Sequence, residues 1–329
     1  MFADSLLLVA GVVGILIATP GVLLYGGGHW RMLWPAAVTL FALWCLAGIA
    51  AALAGWQPFG FAVLVPAGGF VAGMGVAMAA CERFGPSAAA GVAVAFSVLV
   101  FLPLALVVFG GGGMWLYRTA GALDFAGALP VAIGGGVFLL VLAFKDRGAP
   151  AVWHPRAVIG VALLWASSIV AGIGFELRVD ELTPVIALNS VLTPAASAVA
   201  VVVVERLKSA RNSGEGFAAG VLAGVAGALG TSAYLEPVSA VILGLVVGTV
   251  CGALFKPWPA AAGLGAPLLI GGLWGLLFLG VFALGPGFVY SGQPTQLASQ
   301  FSVTALATVF ALVLSMLIAT VASLLQRGR

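Results

Sequence analysis

The side chains able to move protons, hold ions or attack a substrate are few in this 329-residue chain, and nearly all stand between its apolar blocks. Lys and Arg number 13, Asp and Glu 10, His 2. The two imidazoles, His29 and His154, fall in polar connections. Asp124, at the head of an apolar run, is placed to accept hydrogen bonds from the free amides of a helix N-terminus. Glu176-Leu-Arg178-Val-Asp180-Glu181 reads as a solvated loop with local ion pairs; its alternatives are a docking edge for an outside partner or a recruitment site. Asn189, Ser190 and Thr193 would either cap a polar cavity or simply bridge helices. Cys45, Cys81 and Cys251 lack the spacing of a metal or redox motif and read as small core residues. No nucleophile stands beside a base, no carboxylates face each other, and no Gly-rich phosphate loop lies between a strand and a helix. An enzyme is therefore not expected, and neither is a metal or cofactor.

What must position these residues is a membrane fold. Hydrophobic residues make up 63% of the chain and charged residues 7%, and the mean hydropathy is +1.22. A helix needs about 20 mostly apolar residues to cross a bilayer. Eleven such blocks can be drawn: 5–27, 33–55, 61–81, 88–109, 125–144, 158–175, 182–204, 216–235, 238–255, 260–284 and 301–325. With the N-terminus outside, eleven of the 13 Lys and Arg land on one face: Arg31, Arg83, Lys145, Arg147, Arg156, Arg206, Lys208, Arg211, Lys256, Arg327 and Arg329. Only Arg118 and Arg178 land on the other. Short loops rich in Lys and Arg stay cytoplasmic. The fold class predicted is an all-α polytopic membrane protein with eleven transmembrane helices, N-terminus out and C-terminus in, in the inner (cytoplasmic) membrane. Only Tyr234-Leu235-Glu236-Pro237 divides the eighth block from the ninth; without that break Lys256, Arg327 and Arg329 would move outside, which argues for keeping it.

A single transmembrane domain, residues 1–329, is expected, because no linker is long enough to divide the chain. No basic stretch precedes the first block, so no cleavable signal peptide is expected. The net charge of +3 comes from dispersed anchors rather than a patch interleaved with aromatics, so nucleic acid is not an expected partner. Trp30, Trp34, Trp56, Trp115, Trp153 and Trp258 sit near the block ends, as in an interfacial belt.

Two stretches echo each other. Pro130-Val-Ala-Ile133-Gly134-Gly135 and Pro267-Leu-Leu-Ile270-Gly271-Gly272 both read P-x-x-I-G-G, 137 residues apart. Five crossings between them turn the second copy upside down, the mark of an inverted repeat with its pathway between the halves. Spans 1–5 and 6–10 are thus predicted to form two inverted five-helix repeats, followed by a final helix. Glycines inside the spans, such as Gly68, Gly69, Gly73 and Gly75, permit close helix packing or leave room for a narrow pore.

Thr19-Pro20-Gly21 with Tyr25-Gly26-Gly27, then Phe109-Gly110-Gly111-Gly112 and the run Gly121-Ala-Leu-Asp124-Phe-Ala-Gly127, open a longer pattern. Gly174-Phe175, Leu188-Asn189-Ser190 and Gly271-Gly272-Leu-Trp-Gly275, running on to Gly280-Val-Phe-Ala283, continue it. In order and spacing these resemble the ammonium transporter family (Amt/Rh) from residue 19 to about 325. The resemblance implies eleven spans, a homotrimer, and a narrow apolar pore in each protomer holding two facing imidazoles. Here those positions fall on Ala132 and on Leu268, or Leu269 if the register slips by one. The outer aromatic cage falls on Phe109 and Val179, with Asp124 supporting the vestibule. Of two stacked gate phenylalanines, one maps to Phe175 and the other to Gly68, with Phe70 a nearby substitute.

A charge at mid-bilayer is costly, about 3 kcal/mol on insertion scales and more in simulation. Without imidazoles nothing in the blocks relays a proton. The sequence thus points to an ammonium transporter-like protein acting as an electroneutral channel for ammonia or another small neutral molecule. The alternative is a non-conducting binding or assembly subunit among other membrane subunits. The family's long C-terminal tail has no counterpart here, so no PII-type regulator is expected.

Overall fold

The computed structural model describes residues 2–26, 30–55, 58–110, 115–145, 156–209, 214–254 and 260–327. His29, His154, Arg147, Arg211, Lys256, Arg329, Trp56, Trp153 and Trp258 lie outside them. The chain runs through α1 (Phe2–Gly26), α2 (Trp30–Leu53), α3 (Phe61–Phe84), α4 (Pro86–Phe109), a short α5 (Trp115–Ala120) and α6 (129–145). It continues through α7 (Arg156–Phe175), α8 (Thr183–Ser209), α9 (Gly214–Thr231), α10 (Pro237–Leu254), α11 (Ala260–Phe282), a short α12 (Phe288–Ser291) and α13 (Thr295–Arg327). Each of the eleven apolar blocks falls on one of the longer helices, and no strand occurs among the described residues. Nine of these helices are long and apolar enough to cross a membrane, and α6 adds a shorter apolar stretch, Leu129–Phe144. This is a multi-pass, all-helical membrane protein.

Local chemistry explains where the helices stop. The fifth block becomes helical only at Leu129, because Gly127 takes a left-handed conformation (φ +85°) that ends the preceding loop. The break between the eighth and ninth blocks is a turn in which the Tyr234 amide donates to Thr231 O. Pro237, whose missing N–H costs nothing at a helix start, opens α10. Two stretches wind more loosely as π-helix, 97–101 within α4 and 129–135 at the start of α6.

Lipid gives helices no hydrophobic reason to associate, so close contact depends on small residues. The most extensive pairing is α1 with α7, where a Cβ added at Gly11 would lie 2.7 Å from Gly174 Cα. The α6–α11 crossing is as tight: a Cβ at Gly136 would lie 2.8 Å from Leu269 N. Basic side chains tie helix C-termini together, satisfying carbonyls that have no donor of their own. Arg83 Nη1 donates to Leu142 O (3.0 Å), and Lys208 Nζ donates to Gly252 O (3.1 Å) and Ala253 O (2.9 Å). The ends of α3 and α6, and of α8 and α10, therefore lie side by side, as alternating crossings require.

Candidate functional site

Between α1, α3, α4, α6, α7, α9 and α11 the molecule encloses a cavity of about 140 Å³. Its walls include Ala18 and Val22 from α1, Gly68 and Gly75 from α3, Phe101 and Phe109 from α4, and Val131 and Leu139 from α6. Leu164, Ser167, Ser168 and Phe175 from α7, Val225 from α9, and Leu264 and Leu268 from α11 complete them. No Asp, Glu, Lys, Arg or His is among the lining residues. The two serines supply the side-chain hydroxyls, and that of Ser168 donates to its own helix at Trp165 O (2.7 Å).

Three phenylalanines cluster at one end of the cavity, two of them, Phe109 and Phe175, in its wall. Phe61 is the first residue of α3, Phe109 the last of α4 and Phe175 the last of α7, so three helix termini on one side each contribute a ring. Phe109 and Phe175 stack with centroids 5.3 Å apart; Phe61 lies 5.2 Å from Phe109 and 6.4 Å from Phe175. Beside them the Asp124 loop is pinned from three directions. Asp124 Oδ1 accepts from the amides of Gly127 (3.0 Å) and Ala128 (2.8 Å), and Oδ2 from Leu129 (2.8 Å), which caps α6. The amides of Phe125 and Ala126 donate to Gly230 O and Leu229 O at the end of α9. Gln300 of α13 holds the Leu123 backbone at both its amide and its carbonyl. Burial pushes the Asp124 carboxyl up to about 6, against the pull of its three amide donors.

At the opposite end, Tyr25 of α1 donates its hydroxyl to Gly263 O (3.0 Å) on α11. Gly263 is four residues before Pro267, and proline has no N–H to satisfy it. The tyrosine fills the vacancy.

The sequence-predicted positions separate in space. Phe109, Phe175 and Leu268 line the cavity. Ala132 is fully buried but faces α11, where a Cβ added at Gly272 would lie 2.7 Å from its Cβ, so the two P-x-x-I-G-G stretches pack on each other. Leu269 packs against Gly136. Phe70 meets Phe41 edge to face (6.3 Å) and lines a separate groove on the outside of α1, α2 and α3. Val179 is exposed in the loop after α7. In that loop Thr183 donates to Glu176 Oε2 (2.7 Å) and Arg178 pairs with Asp180. Asn189 Nδ2 donates to Ser232 O and Leu235 O, bridging α8 to the α9–α10 turn. Sequence reading missed Phe61 and the cavity-facing Phe101, although phenylalanines bounding three blocks on the same side were a visible signal.

The profile of the Ammonium Transporter Family matches residues 21–327. The chain belongs to that family. Ammonium transporter Amt1 of Archaeoglobus fulgidus is 30% identical over 240 residues, 67% of this chain and 60% of the relative. An ammonium transporter of Bacillus subtilis is 28% identical over 249 residues, 70% of this chain and 61% of that protein. The matched part thus spans about three fifths of the length of these curated relatives. Candida albicans Mep2 superposes with a TM-score of 0.83 at 20% identity, over 97% of this chain and 83% of its own. A sensor Amt protein superposes with a TM-score of 0.67 at 18% identity, over 97% and 95%. These likenesses establish the ammonium transporter fold.

Within that fold, the chemistry open to this family member is limited. A permanent cation in the cavity would meet ring faces, aliphatic walls and two hydroxyls, with no counter-charge. A small neutral molecule gives up far less hydration, so the walls suit a neutral guest.

Proposed function

We propose that this protein is an electroneutral membrane channel for ammonia or another small neutral molecule. The observation that carries the reading is the cavity wall, which offers no titratable side chain to hold a cation or relay a proton. Phe175, with Phe109, acts as the outer gate, and Leu268 sets the apolar middle. Ala132 and Leu269 keep α6 and α11 in contact, Asp124 holds the vestibule loop, and Val179 borders its rim. Phe70 has no part in the path.

The same proposal takes the chain as one transmembrane domain of eleven crossings, N-terminus out, in the inner membrane. Spans 1–5 and 6–10 form inverted repeats, and the protein is a homotrimer that catalyses no reaction and needs no PII-type regulator. The α1–α7 and α6–α11 crossings support the repeats, since each pairs a span with its counterpart five further on. The relatives' ammonium transport favours ammonia as the guest.

One observation favours a second reading. Phe61, Phe109 and Phe175 pack together at the proposed outer end, as a non-conducting subunit or sensor would tolerate. Stopped-flow ammonia flux into proteoliposomes separates the two: a rate above protein-free vesicles, raised further by Phe175→Ala, supports the channel. Flux equal to empty vesicles in both proteins would leave the non-conducting reading.

A further inference from the structure

A second space lies on the outer flank of α1, α2 and α3, a groove of about 430 Å³ whose walls carry no charged side chain. Along α2 it extends from Phe41 to Ala52, about 16 Å at 1.5 Å per residue. Half the hydrocarbon core of a bilayer is about 15 Å. The groove is thus about one leaflet deep, and its rim is apolar and exposed: Phe41 is 62% and Ile49 57% exposed.

Two rings in contact, Trp44 and Phe101, link this groove to the central cavity. Trp44 lines the groove, and its indole lies in the notch left by Gly69, where any Cβ would collide with the ring. On its inner side it meets Phe101 edge to face, centroids 5.3 Å apart, and Phe101 is itself a wall of the cavity. Buried tryptophans normally find an acceptor for the indole N–H. Trp44 is 4% exposed and its Nε1 has none. No hydrogen bond fixes the indole in place, and the groove beside it, about 430 Å³, is large enough to receive a displaced ring.

We infer that the groove is a lateral portal through which small, neutral, lipid-soluble molecules pass from one leaflet of the bilayer into the central cavity, with Trp44 as its gate. The inference rests on the cavity being a site for neutral guests. It adds a substrate class, solutes already dissolved in hydrocarbon, and a route that avoids the three-phenylalanine cluster. A molecule arriving from the leaflet has already shed its water, so the apolar walls cost it little.

The test reads access rather than conduction. A reporter cysteine, Ala72→Cys, is placed on the cavity wall of the full-length protein after its three native cysteines are replaced by alanine. It is then exposed in proteoliposomes to neutral N-ethylmaleimide or to a charged, membrane-impermeant methanethiosulfonate. The portal predicts modification by the neutral reagent and not by the charged one. Trp44→Ala should speed the neutral reaction roughly tenfold, the factor given by about 1.4 kcal/mol off a barrier. Ile49→Trp, which fills the groove from its rim, should slow it. Should Trp44→Ala fold poorly, Trp44→Phe and Ile49→Trp still push the rate in opposite directions. Rates unchanged by both substitutions, or a charged reagent reacting as fast as the neutral one, would overturn the portal. Lateral labelling without ammonia flux would keep the portal and remove the channel reading; flux without lateral labelling would do the reverse.

Discussion

Pro130 is the second residue of α6 and Pro267 the eighth of α11, and that offset decides how two copies of P-x-x-I-G-G are held. In the first turn of a helix a missing N–H breaks nothing. The α6 copy opens its helix as a π-turn, and the amides leading into it, those of Gly127, Ala128 and Leu129, donate to Asp124 from the adjoining loop. In the interior of α11 the same residue strands Gly263 O, and the repair comes from another helix, through Tyr25 of α1. One copy is stabilised locally, while the other makes α11 depend on α1. Identical short motifs thus do not imply identical support.

The largest effect that bears on this contrast should come from Asp124→Ala. It leaves three buried amides without an acceptor, and we expect a loss of about 3 kcal/mol or more, read as a lower Tm in detergent. Next is Gly272→Val, which drives a branched side chain into Ala132 where the two copies touch; overpacking of this kind costs about 1–3 kcal/mol. Tyr25→Phe should cost about 1 kcal/mol, and the contrast sharpens in the double mutant. Pro267→Ala returns a donor to Gly263 O, so it should remove most of the tyrosine's effect, whereas Pro130→Ala should show no coupling to Tyr25. Equal coupling to both prolines would break the comparison.

The smallest effect lies in the loop after α7. Burial pushes Glu176 up to about 6 from its ordinary 4.5. The folded state then holds a proton the unfolded chain has lost, so stability rises as pH falls from about 6 towards 4.5. Glu176→Gln should erase that slope, leaving a protein marginally more stable than the parent above pH 6. Tm measured against pH, with the slope unchanged in the variant, would count against the assignment.

Much of this was legible in the sequence. The eleven apolar blocks, the break at Tyr234-Leu235-Glu236-Pro237 and the capping role of Asp124 each follow from local chemistry that a single chain displays. The azimuth of Ala132 was not legible. The resemblance places it eight residues past Asp124, but in the π-helical start of α6 Val131 faces the cavity while Ala132 faces α11. The Trp44 portal was equally hidden, because it depends on an indole from α2 meeting a notch at Gly69 of α3, two positions with no sequence relation. Phe70 was placed at the gate by proximity to Gly68; two residues further along α3 the wall has turned toward the outer groove.

The central claim is that the cavity passes neutral molecules and no charge. It is tested most directly by recording ammonium-evoked current on a solid-supported membrane and ammonia flux by stopped flow from the same proteoliposomes. The account predicts flux above protein-free vesicles with no current beyond theirs, insensitive to an imposed proton gradient. A robust, saturable current evoked by ammonium would contradict it.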